Sequence, residues 1–400
     1  MSSLTSRPTR SIREGIVLSV VVLAVGSFSV IGASANAPLL RESLGLSAVG
    51  VGAIASVAYL GAMLSASPAG RLTDRHGPSR IIVTGLGLLA LGDFIALLAP
   101  HPIVFYCGIL VLGLGYGAIN PPTTVVSNPP NPQRRGLVLS VKQSGVPIGG
   151  VVAGAVLPSV GLEWGWRAAF ALGLVLCAVL AMTVLLRGGY RAQPLTGSAA
   201  ARARSARRLR LPQGYAYGLL IAGVQVSIFA FTAVYLVEAR GLSNERAGLG
   251  VSTLLMGGVI GRLFWGWLSD SRPTLRLPVL QATAFLGALS ILSLLLVPDW
   301  ALIGALIAVG TTSVGWNGVY IAAVAEACLP HRIGAATGVS LTLINLGAIV
   351  VPLMIGVVVH VSGSWTVGLT VLVVLSMAAG VVALVFTESA SPEALSHRRS

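Results

Sequence analysis

Stretches of about 20 apolar residues, each ended by a short polar break, recur twelve times along this 400-residue chain. A helix needs roughly 20 residues to cross about 30 Å of hydrocarbon. In lipid every backbone N–H and C=O must be satisfied internally, which leaves helices and closed barrels. Runs of this length select helices, so the sequence predicts an all-α membrane protein. Composition agrees: 55% of residues are hydrophobic, 10% are charged and the mean hydropathy is +0.88, far from a soluble domain. The runs fall near 15–37, 47–69, 81–99, 102–127, 137–158, 166–187, 214–237, 246–268, 277–297, 300–326, 333–359 and 364–387. Met1 to Arg13 lacks the apolar core and small-residue cleavage site of a secretory leader.

A formal net charge of +14 raises the question of nucleic acid, and the placement of the charge answers it. Of the 26 basic residues, all but six lie in the tails and in every second loop. The exceptions are Arg41, Arg167, Arg240 and Arg246 in the alternate loops, and Lys142 and Arg262 inside apolar runs. This asymmetry is the positive-inside pattern and predicts both termini in the cytoplasm. The arginines between 188 and 212 read as a linker beside anionic headgroups, not as a nucleic-acid arm. Cys107, Cys177 and Cys328 stand singly in apolar runs, with no spacing for a disulfide framework or a metal site. No nucleotide-binding, hydrolytic or metal motif occurs in the loops, so no cofactor and no enzymatic activity are expected.

The chain repeats itself. Gly70-Arg-Leu-Thr-Asp74 returns as Gly266-Trp-Leu-Ser-Asp270, and Glu42-x-x-Gly-Leu-Ser47 as Glu238-x-x-Gly-Leu-Ser243, both at an offset of 196. Arg134-x-Gly136 followed by Gly149 returns at 198 as Arg332-x-Gly334 followed by Gly347. Two six-helix halves in parallel register follow: residues 1–187 and 213–400, the second with a cytoplasmic tail, joined by the linker 188–212.

Twelve spans in two repeats, with Gly70-Arg-Leu-Thr-Asp74-Arg75-His-Gly77 between the second and third, resemble the major facilitator superfamily. The resemblance implies a secondary transporter of a bacterial-type inner membrane, in which the halves rock to open a central cavity to each side in turn. Within the motif, Gly70 and Gly77 permit a tight turn, while Asp74 and Arg75 can bond helix ends across the cytoplasmic gap and so latch it. In the second copy Ser271 replaces Arg75 and Pro273 replaces Gly77. Asp270 is therefore expected to matter less than Asp74.

Lys142, the only lysine of the chain, lies about two turns inside the fifth run, with Gly145 and Gly149 on its helix face. A charge there costs at least about 2.5 kcal/mol unless it meets a cavity or a partner. Arg262 repeats the arrangement in the eighth run, between Gly258 and Gly266. By the resemblance, the fifth and eighth helices face one another, so the two cations would converge on one cavity and an anion could bridge them. The fork of Arg262 suits a carboxylate. Arg262-x-x-x-Gly266 also looks like the arginine of monocarboxylate transporters and oxalate/formate exchangers, although Gly258 stands where those families place a further charge. The competing reading is that both cations snorkel to the interface. Asn120, Asn317, Asn345 and Gln143 add amides that bond either a neighbouring helix or a ligand, and Tyr59 is a candidate cavity wall. Asp93, an acid inside the third run, is the candidate proton carrier.

The expectation is a monomeric carrier of a small anion, an organic carboxylate first, with protons or a counter-substrate as coupling partners and the lipid bilayer as its surroundings. The alternative is a proton-coupled efflux pump for lipophilic compounds, because Gly145-Val-Pro147-Ile-Gly149-Gly150 resembles the fifth-helix motif of drug/proton antiporters with the proline displaced by one.

Overall fold

A computed structural model describes residues 12–46, 48–129, 134–187, 208–209, 211–271, 275–385 and 387–388. Most of the linker (188–207 and 210), Pro273 and the tail beyond 388 lie outside these. Among the described residues, twelve spans are long and apolar enough to cross a membrane, at the positions the apolar runs mark. In the first six they are α1 (Ile12–Ala35), α3 (Ala48–His76), α4 (Pro78–Leu97), α5 (Pro102–Ser127), the pair α6 (Arg135–Gln143) and α7 (Gly145–Trp164), and α8 (Trp166–Arg187). A short α2 (Ala37–Leu44) follows the first. The second six are α9 (Leu211–Glu238), α10 (Asn244–Ser271), α11 (Arg276–Leu296), the pair α12 (Leu302–Ser313) and α13 (Asn317–Ala327), α14 (Ile333–Ser362) and α15 (Trp365–Val385). Apart from them, Arg208–Leu209 pairs antiparallel with Thr387–Glu388.

Large apolar side chains such as Val17, Leu186 and Val361 are exposed, as lipid-facing residues must be. Among the first six spans the main packing is α3 and α4 on α5, α1 on α7 and α4 on α8; among the second six, α9 on α14, α10 on α12 and α11 on α15. Across the middle, α3 meets α14, and α6 meets α10 and α13. The other half of the fifth span, α7, packs on α1 and α8. Contact across the middle is thus strongest near one face, and a cavity remains toward the other.

The break at Gly70 is shorter than the sequence suggests. Helix α3 continues to His76, so Gly70 through Asp74 are helical and the turn falls on Gly77, whose φ of 86° suits glycine. Gly70 serves close approach instead: a Cβ there would collide with the main-chain oxygen of Gly334 on α14. Small residues let such backbones cross in lipid, where no hydrophobic effect drives helices together.

Candidate functional site

The fifth and tenth spans are both broken near their middles. In the fifth, Pro147 has no N–H to return to the carbonyl of Gln143 four residues earlier, and the helix divides at Ser144. In the tenth, Val314-Gly315-Trp316 separates α12 from α13. Arg262 lies between the breaks. Its Nη1 donates to the Gln143 carbonyl at 2.8 Å and its Nε to that of Val314 at 3.4 Å. One guanidinium therefore joins the two halves through carbonyls that interrupted helices leave open.

A cavity of about 630 Å³ stands over these breaks, within the range of small-molecule sites. Ser27, Tyr59, Tyr116, Asn120, Gln143 and Pro147 line it from the first six spans. Gln225, Phe229, Arg262, Trp316, Asn317 and Asn345 line it from the second. Of the predicted residues, Arg262, Asn120, Asn317, Asn345, Gln143 and Tyr59 meet here. Arg262 is the only charged side chain among the described lining residues, and it is 4% exposed.

Lys142 does not reach the cavity. It is 0% exposed and turned onto α5, where Nζ donates to Asn120 Oδ1 at 2.6 Å, Thr124 Oγ1 at 2.9 Å and the Asn120 carbonyl at 3.3 Å. The converging pair of cations expected from the sequence is replaced by one cation in the cavity and one behind its wall. Asp93 is also outside the lining. It is buried between α1, α4 and α8, with Ser29 Oγ donating to Oδ2 at 2.9 Å. Gln225 and Tyr116 are among the wall residues that escaped the sequence reading. Gln225 Oε1 accepts from Trp316 Nε1 at 2.8 Å and Asn317 Nδ2 at 3.0 Å; Tyr116 lines the same cavity as Tyr59 and Arg262. The one available signal for Gln225 was an amide alone in the middle of an apolar run.

The face carrying the repeated loops is closed by two matching contacts. Asp74 accepts from Gly334 N at 3.0 Å and Ala335 N at 2.7 Å, at the start of α14. Asp270 accepts from Gly136 N at 2.8 Å and Leu137 N at 2.7 Å, at the start of α6. Each carboxylate meets the N–H groups a helix start leaves unpaired and the positive end of its dipole. The second copy, expected to be the lesser one, has the fuller set of ion pairs around its carboxylate. Arg276 Nη2 lies 3.2 Å from Asp270 and its Nε 2.9 Å from Glu326, which in turn lies 3.6 Å from Arg135 of the opposite half. Asp74 has no ion pair among the described residues, and Arg71 and Arg75 are exposed. The matching position for Glu326 in the first repeat, 198 residues earlier, is Asn128.

The family model of the Major Facilitator Superfamily matches residues 17–352 and 215–400. A gentisate transporter of Corynebacterium glutamicum is 28% identical over 349 residues, covering 82% of this chain and 76% of that protein. A 3-(3-hydroxy-phenyl)propionate transporter of Escherichia coli is 26% identical, covering 82% of each. Among solved structures, the transporter FucP in its outward conformation aligns with a TM-score of 0.74 at 16% identity, covering 94% of this chain and 99% of FucP. That likeness speaks to the fold.

Proposed function

Because the chain belongs to the Major Facilitator Superfamily, we propose that it carries a small organic anion, a hydroxylated aromatic carboxylate first, across the membrane by alternating access. The observation that carries this reading is the lone guanidinium of Arg262 in an otherwise uncharged, partly aromatic cavity. A planar fork pairs with a carboxylate through parallel hydrogen bonds, and low surrounding polarity strengthens the pair. Tyr59, Tyr116, Phe229 and Trp316 supply ring surface. The relatives named for gentisate and for hydroxyphenylpropionate point to the same chemistry.

The latched face is the one the arginine-rich loops occupy. By the positive-inside rule it is cytoplasmic, so the cavity opens outward in this state. Efflux of lipophilic cations is the weaker reading, since no acidic side chain is among the described lining residues to meet a cation.

The test is uptake and binding of gentisate by the full chain in proteoliposomes. Arg262→Gln is expected to weaken binding at least 100-fold, about 2.7 kcal/mol, as removing one partner of a buried charge pair does. Arg262→Lys is expected to recover only a part of this, because a point charge lacks the fork. Binding of cationic dyes in place of carboxylates, indifferent to Arg262→Gln, would refute the anion reading.

A further inference from the structure

Two amides in the cavity wall, one from each half, are held in one orientation by groups behind them. Lysine ammonium and indole N–H are donors without acceptor capacity. The oxygen of Asn120 must therefore face Lys142 Nζ, 2.6 Å away, and the oxygen of Gln225 must face Trp316 Nε1, 2.8 Å away. The same oxygen takes a second bond from Asn317 Nδ2 at 3.0 Å. Both side chains line the cavity, and among the described residues the hydrogen bonds of each side chain run to its oxygen, none from its NH2 group to a protein acceptor.

We propose that Asn120 and Gln225 are fixed hydrogen-bond donors to the oxygen-bearing end of the substrate, and that Lys142 is the positioning residue that holds Asn120 in its donating orientation. The proposal rests on the anion reading of the cavity and deepens it. With Arg262 the two amides form a three-point donor set, Asn120 from α5 of the first half and Gln225 and Arg262 from α9 and α10 of the second. A ligand that satisfies all three ties the halves together. Asn317, having given its N–H to Gln225, keeps its oxygen as an acceptor, which suits a hydroxyl on the same substrate. Locked dipoles lose little freedom when the ligand arrives and do not reorient to accept from an amine. Lys142 thereby shapes the site without contacting the ligand, and the uncharged acceptors around it account for the burial of a lysine with no acidic partner among the described residues.

The experiment measures binding of 3-hydroxybenzoate and its uncharged analogue 3-hydroxybenzamide to the full chain in nanodiscs. Asn120→Asp and Gln225→Glu change a donor into an acceptor at constant size, and in Asn120→Asp the lysine gains a counter-charge, which supports folding. Each is expected to lower the preference for benzoate over benzamide at least tenfold more than Asn345→Asp, which adds a carboxylate to the same wall without a locking partner and so reports charge alone. Lys142→Met is expected to lower the preference severalfold, and to have no further effect on it once Asn120 is replaced by leucine. A merely structural role would weaken both ligands alike and leave the preference unmoved. If Arg262→Gln abolishes benzoate binding while Asn120→Asp and Gln225→Glu change the preference no more than Asn345→Asp does, the proposal is overturned and the anion reading stands. If the wild-type protein does not bind benzoate, both fall.

Discussion

Asp93 holds one carboxylate oxygen against Ser29 and leaves the other, Oδ1, buried without a partner among the described residues. The neighbours Gly173 and Cys177 of α8 are uncharged, and a Cβ at Gly173 would lie 2.7 Å from Oδ2. A carboxyl group in such a place is costly as an anion, and its distance from the lined cavity separates it from the ligand. Asp93→Asn keeps the size and the bond from Ser29. It is expected to change stability by no more than ~1 kcal/mol and to leave the response of gentisate uptake to an imposed pH gradient unaltered. Uptake that persists in the variant but no longer follows the gradient would instead make Asp93 a coupling group. At this scale the sequence was informative about which residues are unusual and less so about where they point. Arg262 and Asn120 stand in apolar runs and prove to line the cavity. Lys142 is equally conspicuous, yet it turns toward Thr124, because helical position fixes a side chain's direction only to within the neighbours that can bond it.

The broken helices give the site its shape. Pro147 accounts for the first break, which the sequence reading of one continuous run over 137–158 missed, since it removes a donor and crowds the preceding turn. Nothing comparable marks the second, where Val314-Gly315-Trp316 interrupts the tenth span without a proline; only the bond from Arg262 shows its use. Pro147→Ala restores an N–H for the carbonyl of Gln143 and sets it against Arg262 for that oxygen. The guanidinium N–H so released is available to a ligand. Gentisate is expected to bind more tightly by about 1 kcal/mol, roughly fivefold, and to be taken up more slowly as α6 and α7 join into one stiffer helix. Calorimetric binding and initial uptake rates check the two effects; looser binding with faster uptake would contradict them. The same view explains the extension of α3 through the charged motif. Charged residues following an apolar run mark where the membrane ends, and the helix continues beyond it.

For the molecule as a whole, the internal repeat proves to be a repeat of contacts. Asp74 and Asp270, 196 positions apart, bind helix starts 198 positions apart. The glycines beside them match as well, since Gly70 packs on Gly334 and Gly338, and Gly266 on Gly136 and Ser140. These pairings were legible as periods in the sequence. Their difference was not, because the ion pairs around Asp270 depend on Glu326 and Arg135, which come together from different halves. Asp74→Asn and Asp270→Asn are both expected to favour opening of the latched face. A charge-assisted bond contributes about 1.5–3 kcal/mol, so each change is expected to raise the labelling of a Leu341→Cys reporter from that face about tenfold, with Asp270→Asn the larger. Equal effects, or a larger one for Asp74→Asn, would show that the ion web around Arg276 adds nothing.

The two latches also determine what replaces them when they part. Each consists of a carboxylate and a pair of N–H groups at a helix start, and all are groups that water hydrates well. Opening that face admits the solvent that satisfies them, so the seal is exchanged for hydration and not simply lost. Under the alternating access proposed above, such a closure would be strong while dry and inexpensive to release once wetted, so that one side could be held shut and still open at ordinary temperature.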